Sequence, residues 1–305
     1  MVSFTYIDEN IEVVSYGINE YYGGIGMTGI LSGKSVSKDI KERIREKVSS
    51  LEKVNKYPTL GIIRLGKNPG DISYEKSILK NCDALGIKTK VVELDSEIST
   101  EDLIEEIELL NGDDLISGIL LFRPLPSHID EELIRNKINV DKDVDCMHPL
   151  NLEKIFEGDI TGFAPCTPKA AVEILSYYDI PLEGKNIAII NRSMVVGKPL
   201  AMMLLEKNAT VTICHSRTKN LDSITRDADI VITALGKAKF FDRKYFNKDS
   251  IVIDVGVSLD DRGKVSGDVD FEDVQDFVNM VTPVPGGVGA VTTSILLSQV
   301  VSACK

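Results

Sequence analysis

The stretch NIAIINRSMVVGKPLAMMLLE, residues 186–206, sets the class of the fold. NIAII is an apolar run of strand length, NRSMV is a tight loop, and a helix opens between Val196 and Pro199. A strand without polar alternation is covered on both faces, as in a parallel sheet with helices packed on it. Backbone N–H groups at the start of the following helix, with its dipole behind them, attract an anion such as a pyrophosphate. The glycine-rich fingerprint G-x-G-x-x-G is missing: Asn191 and Ser193 stand where its first two glycines would be sought, and only Gly197 remains. The stretch alone therefore leaves two readings open, a plain strand-to-helix turn and a phosphate-binding one.

Downstream, ATVTICHS, DIVITAL and SIVIDVG are further short apolar strands, and TPKAAVEILSYY lies upstream as a helix. The strand ending in CHSRT carries no acid to hydrogen-bond a ribose 2′-hydroxyl. Ser216, Arg217 and Thr218, together with Arg192, instead offer donors and positive charge to a 2′-phosphate, which favours NADP over NAD. A solvated loop with ordinary surface arginines is the alternative.

Further upstream the same alternation occurs once more. Apolar residues at Val36, Ile40, Ile44, Val48 and Leu51 mark an amphipathic helix, followed by a strand at TLGIIRLG and a helix over Asp71–Leu85. A strand at KTKVVEL, a helix near TEDLIEEIELL and a strand at SGILLF complete the set. DVDCMHPLNLEKIFEGD, with few periodic signals, reads as a loop between two α/β domains. The closing TPVPGGVGAVTTSILLSQVVSAC is a Pro/Gly loop and a long apolar helix that could return to the first domain. The glycine density of that loop leans toward close approach of a flat ligand, against a mechanical connection.

Composition narrows the partners. The chain has 305 residues, a net charge of −12 and a pI near 4.9, with no basic patch, which argues against a phosphate-backbone binder. Five scattered cysteines without a C-x-x-C pair read as reduced thiols in a cytoplasm. No run of eighteen apolar residues exists for a membrane span. The three histidines lack metal-ligand spacing, so no metal is expected. Residues 1–26 read as an acidic, tyrosine-rich extension before a second methionine, Met27.

Within DISYEKSILKNCDALGI, residues 71–87, Tyr74 has lysines two and six positions beyond it. Those offsets turn Lys76 and Lys80 by roughly 200° and 240° around a helix, away from the tyrosine. Ile78, one turn on, shares its face and can neither donate nor accept a proton. Asp143 and Asp145 in DKDVDC are either solvated or, in a cleft, able to hold an amide-rich ring; spacing leaves this open.

Taken in order, ILSGK, the Tyr74 helix, RPLPSHID, KDVDCMHP, PCTP, NRSMVVGKP, ATVTICHSRT, VIDVG, GDVDF and TPVPGGVG resemble the methylenetetrahydrofolate dehydrogenase/cyclohydrolase (FolD) family, from Ile30 to the C-terminus. The resemblance implies an α/β protein of two domains: a catalytic folate domain over 27–150 completed by 283–305, and a Rossmann-like dinucleotide domain over 151–282. It also implies a homodimer, hydride transfer from 5,10-methylenetetrahydrofolate to NADP, and hydrolysis of the methenyl product to 10-formyltetrahydrofolate.

By position, Tyr74 matches the tyrosine over the folate ring, Asp145 the aspartate that holds the pterin, and Pro285, Gly286, Gly287, Val288 and Gly289 the folate-contacting loop. Arg192, Ser193, Ser216 and Val257 match cofactor contacts, beside Arg217; Asn191 replaces the glycine that usually opens that loop. Asn-Arg-Ser also resembles NAD-using monofunctional members, which pulls against NADP, retained as the first choice. Two departures concern the substrate wall. Ile78 stands where bifunctional members have the proton-handling lysine, and Phe122 where they have its supporting glutamine; Lys80 matches a second, non-catalytic lysine. Hydride transfer needs no proton from the protein, whereas attack by water gains about 10²–10⁴-fold from one. The sequence therefore points to a dehydrogenase with weak or absent cyclohydrolase activity, the full bifunctional enzyme being the alternative and a silent folate or nucleotide binder a third reading.

Overall fold

A computed structural model describes residues 29–159 and 161–305. The extension 1–26 and Met27 lie outside the described residues.

The chain enters through a two-residue strand, β1 (Gly29–Ile30), and turns into α1 (Gly33–Glu52), whose buried stripe is Val36, Ile40, Ile44 and Val48. β2 (Thr59–Leu65) follows, then α2 (Pro69–Ala84), β3 (Lys88–Leu94), α3 (Thr100–Gly112) and β4 (Gly118–Leu121). The three longer strands form a parallel sheet in the order β3-β2-β4. Central β2 is buried along nearly its whole length, while β3 at the edge is largely exposed. Asn68 starts α2 by accepting from the N–H groups of Gly70 and Asp71, with Pro69 at the first helical position, where a missing N–H costs nothing. Ser99 starts α3 by accepting from the Asp102 N–H.

A short helix, α4 (Glu131–Arg135), follows β4, and the connection 143–159 expected to be a loop holds another, α5 (Pro149–Glu157). Only Asn151 and Leu152 are buried in α5, too few for a periodic apolar signal. Its ends are nevertheless written locally: His148 caps the start by accepting from the Leu150 N–H, and Gly158 ends it in the left-handed region at φ 73°.

α6 (Cys166–Tyr177) leads into β5 (Asn186–Ile190), α7 (Gly197–Leu205), β6 (Thr210–Cys214), α8 (Leu221–Arg226), β7 (Ile230–Thr233) and β8 (Ile251–Asp254). A small hairpin, β9 (Ser258–Leu259) with β10 (Val265–Ser266), precedes α9 (Phe271–Val274), β11 (Met280–Val281) and the last helix, α10 (Val288–Ala303). The second sheet is parallel with the order β1-β11-β8-β7-β5-β6. Its strands β5, β7 and β8 are buried on both faces as expected; β6 is not, because it forms the edge and alternates exposed and half-buried residues.

β1 precedes the three-stranded unit in sequence, yet it pairs with β11 in the other sheet, Gly29 opposite Met280 and Ile30 opposite Val281. α10 is apolar on nearly every side because it is packed from several: it lies on α1 and α6 and also reaches β2 and β4. Ser37 and Ser294 hydrogen-bond across the α1–α10 contact at 2.8 Å. Gln299 donates to the carbonyls of Val144 (2.7 Å) and Ala164 (3.0 Å) and accepts from Lys169 Nζ at 3.2 Å, tying α10 to the loop before α5 and to the start of α6. No described helix is long and apolar enough to cross a membrane.

Candidate active site

α2 presents Tyr74 half-buried, with Lys76 and Lys80 exposed, as helical geometry requires. Ile78 is fully buried and Phe122 nearly so, and the Phe122 ring stands 5.5 Å from the Tyr74 ring at a tilt of 36°. Behind them α2 is pinned to β2 by a buried ion pair, Arg64 Nε to Glu75 Oε2 at 2.7 Å. The wall beside the tyrosine is thus built from one aliphatic and one aromatic side chain. Burying an isoleucine there contributes about 1.5–3 kcal/mol, and an ammonium in its place would have to be desolvated.

Phe122 is followed by Arg123 and a cis peptide to Pro124. The Arg123 guanidinium lies 3.1 Å from Asp145 Oδ2, each side chain about one quarter exposed. The two acids that spacing could not tell apart have different environments. Asp143 is buried, accepting from the N–H groups of Met147 and His148 (2.8 Å each) and from Asn151 Nδ2 (2.9 Å); desolvation pushes its carboxyl up to about 6. It shapes the loop, and Asp145 faces a pocket. That pocket, about 110 Å³, is bounded by Arg123, Arg135 and Asp145 on one side and by Met194 and Val195 of the 191–196 loop on the other. Cys146, beside Asp145, sits in the left-handed region at φ 57°. Burial holds the Cys146 and Cys166 thiols above their ordinary range, so both are protonated at neutral pH.

The 285–289 loop opens with a cis peptide between Val284 and Pro285. Gly286 has φ 100°, and its carbonyl accepts from the Gly33 N–H at 2.9 Å. A Cβ on Gly33 would lie 2.0 Å from the Gly287 carbonyl oxygen, and one on Gly287 would lie 2.4 Å from that of Pro283. Gly286 is thus required by its left-handed conformation at the join to α1, and Gly287 by its close approach to Pro283 within the loop. Gly289 faces open space. Phe122 and Val288 share one apolar core against which Tyr74 packs.

On the other side of the pocket, β5 and β6 pair with Ile190 opposite Cys214, so Arg192 and Ser216 with Arg217 leave neighbouring strands at one sheet edge, all three exposed. Asn191 organises the intervening turn. Its Oδ1 accepts from the Ser193 N–H (2.8 Å), Ser193 Oγ (2.7 Å) and the Gly197 N–H (3.0 Å), and its Nδ2 donates to the Ala234 carbonyl at 2.6 Å. A Cβ on Gly197 would lie 2.0 Å from the Asn191 carbonyl oxygen, which is why this one glycine persists.

Half-buried Val257 stands beyond β8 next to a second acidic pair that the sequence reading passed over. Asp254 accepts from Thr233 Oγ1 and Val269 N–H (2.9 Å each), from Gly256 N–H (3.0 Å) and from Asp268 N–H (3.2 Å). Asp268 accepts from the N–H groups of Leu235 and Lys237. Burial first, and then the Asp268 charge, raise the Asp254 carboxyl to about 7. Acids inside the apolar segments VIDVG and GDVDF were the available signal. Arg123 and Arg135 were also missed; nothing in their spacing brings them to one pocket. Among the described residues no cluster of three His, Cys, Asp or Glu side chains could hold a metal ion.

The family model described as the tetrahydrofolate dehydrogenase/cyclohydrolase catalytic domain matches residues 31–145, and the model for the NAD(P)-binding domain of the same family matches residues 165–305. A bifunctional protein FolD from Clostridium botulinum is 57% identical over 279 residues, covering 92% of this chain and 99% of its own. The crystal structure of the bifunctional FolD dehydrogenase/cyclohydrolase from Campylobacter jejuni superposes with a TM-score of 0.89 at 42% identity, covering 91% of this chain and 98% of its own. The Trypanosoma brucei dehydrogenase-cyclohydrolase, solved with NADP and an inhibitor, gives 0.85 at 32% identity, covering 90% and 97%.

Proposed function

Because the chain belongs to the tetrahydrofolate dehydrogenase/cyclohydrolase family, we propose that it oxidises 5,10-methylenetetrahydrofolate to the methenyl form and hydrolyses that product to 10-formyltetrahydrofolate. The observation that carries the reading is the pocket in which the Arg123–Asp145 pair faces the 194–195 segment of the dinucleotide loop. Asp145, with one oxygen on Arg123, offers the other to the N–H groups of a pterin ring, and Tyr74 covers the ring face. A bound nicotinamide supplies the hydride acceptor. The residues present suit such a cofactor: exposed Arg192 and Arg217 stand beyond the ends of β5 and β6, and no acid stands at the end of β6 to repel a 2′-phosphate. Arg192, Ser216 and Arg217 favour NADP, and half-buried Val257, just beyond β8, is a further candidate contact for the cofactor. Hydride loss is pushed by the folate nitrogen lone pair, so the protein's task in that step is to align two rings.

Relatives named as bifunctional at 57% identity favour retention of the hydrolytic step, against the expectation of a weak or absent one. One observation keeps the second reading in view: Ile78 and Phe122 are buried and apolar, and neither can relay protons to water. We extend the proposal to a homodimer in the cytoplasm, with the domain limits 27–150 plus 283–305 and 151–282. The test is to follow nicotinamide reduction with methylenetetrahydrofolate beside the decay of methenyltetrahydrofolate. Reduction with accelerated decay supports the bifunctional enzyme; reduction with decay at the uncatalysed rate selects the dehydrogenase alone; absence of both overturns the proposal.

A further inference from the structure

The pocket beside Asp145 contains a second guanidinium to which the reaction above gives no task. Arg135, the last residue of α4, lines it, and its Nε is buried without a hydrogen-bond partner. A buried donor left unmet is costly, more so when charged, so a residue that retains one in a pocket wall is suited to an acceptor arriving from outside the chain. Arg123 stands on the same wall with one nitrogen on Asp145. Glu131, one turn earlier on α4, also lines the pocket but is exposed to solvent. The facing wall, Met194 and Val195, belongs to a loop whose own donors are largely spent: the Ser193 and Gly197 N–H groups are on Asn191, and the Val196 N–H is on Ser193 Oγ at 3.1 Å. An anion docking there must draw on side-chain charge from across the pocket.

We propose that Arg135, with Arg123 beside it, forms an oxyanion subsite that takes a carboxylate or phosphate group of a bound reactant. The assignment rests on the folate and dinucleotide reading above and deepens it. Two sources share this chemistry, the glutamate tail of the folate and a phosphate of the dinucleotide, and a guanidinium fork matches either.

Calorimetric titration of the whole protein with p-aminobenzoylglutamate and with inorganic pyrophosphate separates them. Arg135→Gln weakens binding of one probe about tenfold or more and raises the KM of the matching reactant by a similar factor, with kcat held within about twofold. Arg135→Lys, keeping the charge without the fork, falls between. Loss confined to p-aminobenzoylglutamate assigns the folate tail; loss confined to pyrophosphate assigns the dinucleotide. Unchanged binding of both probes in a folded Arg135→Gln protein, or no binding of either to the wild type, overturns the subsite. A wild-type protein that turns over no methylenetetrahydrofolate sinks the parent reading instead, and the titrations still report on Arg135.

Discussion

The wall around Tyr74 and the turn at Asn191 treat polarity in opposite ways. Beside Tyr74 the buried neighbours are Ile78 and Phe122, neither of which exchanges protons. At Asn191 a polar side chain takes over the turn, and its carboxamide serves Ser193, Gly197 and Ala234 at once. The first wall is apolar and packed, whereas the second spends its backbone donors on holding its own turn. Changes to the first should therefore show in the rate of hydrolysis and in stability, and changes to the second in cofactor affinity.

The largest expected effect tests whether the first wall is dry. Ile78→Lys alone should lower unfolding free energy by about 3–5 kcal/mol in urea titration, because it buries an unpaired ammonium. Adding Phe122→Gln should restore part of that loss and raise methenyltetrahydrofolate hydrolysis by about 10²-fold. A single lysine that costs nothing would mean water already reaches this wall. Next in size, Asp145→Ala removes the ring anchor and leaves Arg123 unpaired; kcat/KM for the dehydrogenase should fall about 100-fold, read from nicotinamide reduction.

On the opposite wall Asn191→Gly should loosen the turn and raise the KM for the dinucleotide about tenfold while kcat stays near its original value. An equal fall in kcat would show that the turn acts on the reaction itself. The smallest effect concerns Asp254. Its folded carboxyl binds a proton up to about 7, well above the unfolded value near 3.8, so its favourable contribution is complete below that lower value and is lost as pH rises through the upper one. Wild-type stability should thus decline with pH across this window more steeply than that of Asp254→Asn, by no more than about 1 kcal/mol per pH unit. A window that vanished would show that the four hydrogen bonds to Asp254 keep it ionised throughout.

Much of this architecture is legible in the chain because the signals are local. The spacing of Val36, Ile40, Ile44 and Val48 is enough for α1, and short apolar runs are enough for β2, in spite of its Arg64, and for β5. α5 escapes because two buried residues make no stripe, although His148–Pro149 and Gly158 mark its ends. At the site, Tyr74, Ile78 and Asn191 can be placed from helix geometry and order along the chain. The difference between Asp143 and Asp145 cannot be, since it depends on which carboxylate the loop turns inward onto Met147, His148 and Asn151. The meeting of Arg123 with Arg135 depends on how the chain after β4 folds back, and that of both with Met194 exists only once the two sheets have been set side by side.

β1 and α10 give the molecule a seam sewn from both ends. Gly29 and Ile30 form the outer strand of the six-stranded sheet, and the final helix lies against α1 of the three-stranded unit. Each half thus holds a piece that the order of the chain assigns to the other. Severing the polypeptide near residue 150 would not release two independent folding bodies; each fragment would carry an exposed scar, and heat should melt the uncut protein as a single cooperative unit.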